Sequence, residues 1–185
     1  EEAGLDSVNW YSDAIVEWDQ DGNEIWRWSC KDNFSFDDLD PNFSLLSAVD
    51  HIIDGSKDLD WTHCNSIFFD SENSVLYLST RHLSRITKIS YPSGEIIWNL
   101  GKYFPSGDVS FGHDLGLSGQ HSFEKLNNGH YIMYDNGNFD NPELTRGLEI
   151  SIDESNLSYN IEWEHYLTED LFTQKWGDCD RLYNG

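Results

Sequence analysis

Gly22-Asn23-Glu24-Ile25-Trp26 returns later in the chain as Gly94-Glu95-Ile96-Ile97-Trp98, a glycine turn each time with Trp four residues after the Gly. Internal repetition of this kind limits a chain to architectures that use one supersecondary unit several times. The unit is an antiparallel pair. Asp19-Gln20-Asp21-Gly22-Asn23 separates the strand-like runs Ala14–Trp18 and Glu24–Trp28, and an Asp-Gly step between alternating runs signals a hairpin. A calcium loop fits the same residues poorly, because Gly22 is misplaced and the twelfth position counted from Asp19 is Cys30 rather than Glu.

The pairing continues along the chain. Ser71-Glu72-Asn73-Ser74 joins Ile67–Phe69 to Val75–Leu78, and Tyr91-Pro92-Ser93-Gly94 joins Arg85–Ser90 to Glu95–Leu100. Asn127-Asn128-Gly129 and Asp153-Glu154-Ser155 play the same part in the second half. The runs are too short for helices and rich in β-branched and aromatic residues. A short helix is expected only over Ser44–Ile53, within the polar, irregular stretch 31–59.

Repeated four-stranded sheets joined by longer loops predict an all-β chain, a β-propeller with only part of the ring present. The expected divisions are outer strands of one blade over 1–30, a loop over 31–59, whole blades over 60–101 and 118–168, and the first strand of another over 176–185. An open sandwich of the same strands is the structural alternative. A ring needs four to eight blades, so the remaining blades are expected from a missing part of the chain.

Charge excludes one class of partner. Eleven basic against 34 acidic residues leave a formal net charge of −23, with no basic stripe, so nucleic-acid binding is not expected. No apolar run approaches the length of a membrane span, and Glu1-Glu2-Ala3-Gly4 reads as a mature or clipped end. Three cysteines without CxxC spacing argue against a disulfide framework or a thiolate zinc site, and Cys64 reads as a small buried residue. The histidine spacing fits no usual ligand pair, so neither metal nor cofactor is expected.

In so acidic a chain an anionic substrate requires a local cationic pocket. The hairpin from Asp60-Trp61-Thr62-His63-Cys64-Asn65-Ser66 to Ser79-Thr80-Arg81 brings Arg81 back towards His63, an imidazole beside a permanent cation. His121, in Gly119-Gln120-His121-Ser122-Phe123, heads the equivalent strand of the next unit. Asp135-Asn136-Gly137 reads as a structural turn. Arg146 is expected either to pair with a carboxylate of its own blade or to reach substrate. His51, His82, His130 and His165 carry no argument.

The series His63-Cys64-Asn65-Ser66, Ser79-Thr80-Arg81, Gln120-His121, Leu126-Asn127-Asn128-Gly129 and Asp135-Asn136-Gly137, with Arg146, resembles the arylsulfate sulfotransferase family of propeller enzymes, in the family's order. The resemblance implies sulfuryl transfer from an aryl sulfate to a phenol by a ping-pong route, with both small molecules as partners. His121 would be the nucleophile and carry a transient sulfohistidine. Arg81 and a protonated His63 would hold the sulfuryl oxygens, and Asn65 would bind an oxygen or orient His63. Family habit and few cysteines imply a periplasmic or extracellular location without membrane insertion. The family's ring carries another active-site histidine upstream, and nothing before residue 30 matches it. A non-catalytic propeller acting as a binding or scaffold module is the alternative.

Overall fold

A computed structural model describes residues 9–43, 51–53, 56–101 and 110–184 of the chain. The first strands are β1 (Asn9–Tyr11), β2 (Ala14–Trp18) and β3 (Glu24–Ser29), followed by the single-turn helix α1 (Cys30–Asn33). β2 and β3 form a hairpin whose turn is held by the Asp19 carboxylate, which accepts the N–H groups of Asp21 and Asn23. β4 (His51–Ile53) pairs antiparallel with β5 (Ser56–Asp60), which also runs parallel to β1. The helix expected over Ser44–Ile53 falls, through residue 50, outside the described residues. Its last three residues are strand instead, since the β-branched pair Ile52-Ile53 suits a ladder better than a helix end.

The next sheet contains β6 (Cys64–Asp70), β7 (Val75–Thr80), β8 (Arg85–Ser90) and β9 (Ile96–Gly101), an antiparallel meander in chain order. The short β10 (Ser110–Phe111) adds a fifth strand, parallel to β9. A second meander follows: β11 (His121–Lys125), β12 (Tyr131–Asp135), β13 (Arg146–Asp153) and β14 (Ser158–Tyr166). The chain is therefore all-β in several sheets, and none of the described sheets closes on itself.

Burial along β7 shows how the sheets stack. Its residues alternate in direction as in any strand, yet all six are buried. Val75 and Tyr77 face a core shared with the second meander, where Trp98, Phe123, Tyr131, Met133, Leu148 and Ile150 meet them. Leu76 and Leu78 face the opposite way, onto Trp28, Phe34, Trp61 and Ile89. Each buried Leu or Val is worth about 1.5–3 kcal/mol relative to exposure, so β7 is held from both faces. Across the first core the hydroxyls of Tyr77 and Tyr131 lie 3.0 Å apart, giving each buried phenol a partner.

The leading strands of the two meanders lie side by side. Asn65 Nδ2 donates to the Gln120 carbonyl (2.7 Å), and the Phe123 N–H donates to the Ser66 hydroxyl (3.0 Å). Both strands are irregular at this point, with register shifts between Cys64 and Ser66 and between His121 and Glu124. His63 and Ser122 have positive φ, 48° and 52°, which β-carbon-bearing residues adopt rarely. Such bulges turn side chains away from the sheet, and here they sit beside the two histidines.

Candidate functional site

Arg81 and His82 lie on the tight Arg81–Ser84 turn between β7 and β8, closed by the Ser84 N–H donating to the Arg81 carbonyl (3.1 Å). The turn is pinned to the segment entering β6: the Arg81 N–H donates to the His63 carbonyl (3.1 Å) and the His82 N–H to the Thr62 carbonyl (3.3 Å). His63 stacks on His82 with ring centres 4.7 Å apart, and its Nδ1 meets the Asp60 carboxylate. That carboxylate accepts only, so Nδ1 carries the proton and Nε2 is the other face of the ring. Burial raises the Asp60 pKa, but the His63 hydrogen bond and the charges of His63 and His82 outweigh it and leave the carboxyl below its ordinary value.

His82 is fully buried. Its Nδ1–H donates to the Asp60 carbonyl (2.7 Å) and its Nε2 accepts from Arg81 Nη1 (2.8 Å). Burial above all, then the charges of His63 and Arg81, push its pKa down to about 4. A neutral His82 thus serves as a strut for the guanidinium. Arg81 is itself buried, with its guanidinium carbon 5.0 Å from the Phe43 ring centre and Nη2 donating to the Gln174 carbonyl (3.1 Å).

His121 enters from the neighbouring sheet, and Gln120 sets its distance. The Gln120 amide donates to the Ser79 hydroxyl and to the carbonyls of Thr80 and Arg85, all within 3.2 Å, which bolts the start of β11 to the turn bearing Arg81. His121 is 7% exposed. Its Nδ1 faces two oxygens, Asn136 Oδ1 at 2.7 Å and the Gly119 carbonyl at 3.1 Å. The Asn136 amide cannot be turned the other way, because its Nδ2 donates to the carbonyls of Thr173 and Trp176, each at 2.9 Å. Nδ1 therefore holds the proton and Nε2 the lone pair, which accepts the Trp176 N–H at 3.3 Å. Burial lowers the His121 pKa, and the charges of Arg81 and His63 push the same way while the Asn136 and Gly119 hydrogen bonds oppose it. The result is a neutral imidazole whose Nε2 lone pair meets only the Trp176 N–H among the described residues, in the field of a buried guanidinium and a second imidazole.

The structure thus brings His63, Arg81 and His121 into one neighbourhood, with Asn65 tying their strands together. Asn65 Oδ1 is buried without a hydrogen-bond partner. Arg146 joins none of these contacts. Its guanidinium pairs with the fully buried Asp135 (2.9 and 3.0 Å), donates to the Leu115 carbonyl (2.6 Å), and reaches Glu164 (3.3 Å) and the Tyr166 hydroxyl (3.1 Å). These partners take the blade-carboxylate branch of the sequence expectation. Asp60, His63 and His82 offer ligand atoms within 4.8 Å of one another, as a metal site would. Both His82 nitrogens are already engaged, however, and a cation would have to displace the Arg81 guanidinium.

Three contributors escaped the sequence reading. Asn136 looked like part of a turn, His82 had no argument attached, and Asp60 was not paired with His63. The Asp60-Trp61-Thr62-His63 spacing and the adjacency of His82 to Arg81 were the available signals. Nothing local to Asn136 pointed fifteen residues back to His121.

The sequence model of a family described as Arylsulfotransferase (ASST) matches residues 2–184. No curated protein matches the chain.

Proposed function

The chain belongs to the arylsulfotransferase family, and from that premise we propose that it moves a sulfuryl group from a phenolic sulfate ester to a phenolic acceptor through a sulfohistidine on His121. The observation that carries this reading is the hydrogen bonding of His121: Nδ1 donates to Asn136 and Gly119, which leaves the lone pair on Nε2, where the Trp176 N–H at 3.3 Å is its only hydrogen-bond donor among the described residues. In the first step Nε2 attacks sulfur, the N–S bond forms, and the S–O bond breaks with its electron pair leaving on the phenolate. The positive charge that develops on the ring is shared with the Nδ1–H, which the Asn136 and Gly119 oxygens hold. In the second step the acceptor phenol gives its proton to the departed phenolate or to solvent, its oxygen bonds to sulfur, and the N–S bond breaks with its electron pair returning to Nε2, so that a neutral imidazole leaves.

Arg81 and His63 supply positive charge to the sulfuryl oxygens as they pass through the transition state, an effect worth roughly 3 kcal/mol of barrier for each well-placed donor. A sulfuryl group between His121 and Arg81 replaces two bonds made by one backbone segment, the Trp176 N–H to Nε2 and the Arg81 Nη2–H to the Gln174 carbonyl. Asn65 holds its position through the Gln120 carbonyl and offers its unpartnered Oδ1 within the same strand junction. The two meanders act as consecutive blades of a propeller completed by further blades. Exposed Ile67 and Phe69 on β6, with Ile161 and Trp163 on β14, suit additional sheets on either flank. A periplasmic or extracellular setting fits the acidic, cysteine-poor sequence.

The proposal is tested with 4-nitrophenyl sulfate as donor and phenol as acceptor in the complete polypeptide. Acceptor-dependent release of 4-nitrophenol is the expected result, and no transfer to phenol would reject it. Asn136 adds a finer test as a positioning residue. Asn136→Ala should lower kcat by about 10²-fold with little change in KM. Asn136→Asp keeps an acceptor at Nδ1 but adds negative charge, so the His121 pKa rises and the acid limb of the pH–rate profile moves to higher pH. A purely structural role for Asn136 would leave that limb in place.

A further inference from the structure

Cys30 and Cys64 are 34 residues apart in sequence, yet their sulfur atoms lie 3.6 Å from each other. Asp13 sets this approach from both sides. Its backbone carbonyl accepts the Cys30 N–H (3.0 Å), and its carboxylate Oδ2 accepts the Cys64 N–H (2.7 Å) and the Thr62 hydroxyl (2.6 Å). Cys30 is wholly buried in the core beside Trp28, Phe34 and Trp61. Cys64 is half-buried and lines a cleft of about 490 Å³ together with Asp13, Val16, Asn65 and Ile67. Cys64 therefore borders the cleft, and Cys30 lies behind it in the core.

We propose that Cys30 and Cys64 are a disulfide-forming pair beneath the His63 strand, closed by exchange with a small-molecule disulfide that enters along this cleft. Cys64 loses its proton to solvent and attacks one sulfur of glutathione disulfide. A mixed disulfide forms and one glutathione thiolate leaves. Cys30 then loses its proton and attacks the Cys64 sulfur, forming the protein disulfide and expelling the second glutathione. Two protein thiols are oxidised, one glutathione disulfide is reduced, and no further reactant is needed. The sulfurs must close to about 2.05 Å, which torsion of Cys64 on its open side supplies. The Cys30 contact, burial and the Asp13 carboxylate all hold the Cys64 thiol protonated, so the exchange is slow in the folded chain.

The bond would fasten the β3–α1 junction to the residue next to His63, restraining the segment that carries this imidazole. Cys179 serves as an internal control, because its sulfur packs in another region of the chain, near Gly147 and Trp163.

The experiment incubates reduced protein with glutathione disulfide until no further change occurs, then quenches with acid, alkylates and digests without reductant for mass spectrometry. The expected product is a peptide pair joined through Cys30 and Cys64 that has lost two hydrogens. The oxidised chain should also melt roughly 5–10 °C higher than the reduced one. In Cys30→Ser, Cys64 should stop at the glutathione adduct. The proposal is overturned if Cys30 and Cys64 are both alkylated after full incubation. It is equally overturned if Cys64 in the wild-type chain ends as the glutathione adduct, or if a bond forms through Cys179.

Discussion

Replacing His121 with alanine should lower sulfuryl transfer from 4-nitrophenyl sulfate to phenol by about 10⁴-fold or more, because the substitution removes the atom that bonds to sulfur. Arg81 cannot substitute for it, because a guanidinium has no lone pair to offer. Loss of His63 or Arg81 removes transition-state charge and should cost about 10²–10³-fold in kcat, while Asn65→Ala should only slow the reaction. An unchanged melting temperature in the His121 variant distinguishes lost chemistry from lost fold. Undiminished transfer by that variant would remove His121 from the mechanism.

Arg146→Met should destabilise the chain by about 3–5 kcal/mol, read as a fall in the denaturant midpoint. The reason lies in what the substitution strands. Asp135 is fully buried; the Ser118 N–H still serves one of its oxygens, but its charge faces the Arg146 guanidinium. Arg146 also satisfies the Leu115 carbonyl and braces β13 against β14 through Glu164 and Tyr166. Methionine fills much of the volume and supplies none of these donors. A substrate-anchoring role makes the opposite prediction, a raised KM for the aryl sulfate with stability unchanged.

The strands were legible because alternation and turn chemistry act locally. Asp21-Gly22 marks a hairpin without knowledge of the rest of the chain, and the apolar run Val75–Leu78 reads as a strand, while its burial on both faces emerges only in the structure. The strand β4 was not legible, because Ile52 and Ile53 become strand only through pairing with β5. At the site, His63, Arg81 and His121 stand out as chemistry-bearing residues at strand ends. Their supports do not, because each works across a long separation. Asn136 fixes the His121 tautomer from a turn that any propeller could contain, and Gln120 sets the spacing to Arg81 through three acceptors on another sheet. Cys30 and Cys64 make the same point: an odd cysteine count without motif spacing gave no hint that two sulfurs meet in space.

The most direct measurement is the site of sulfuryl attachment during turnover. The protein is mixed with 4-nitrophenyl sulfate without acceptor, stopped at high pH where a sulfated imidazole survives, digested and mapped by mass spectrometry. A burst of one equivalent of 4-nitrophenol, with one SO₃ on the peptide containing His121, is the predicted result, and added phenol should discharge the label. Turnover with the sulfuryl group on any other residue, or with no labelled peptide at all, would contradict the account.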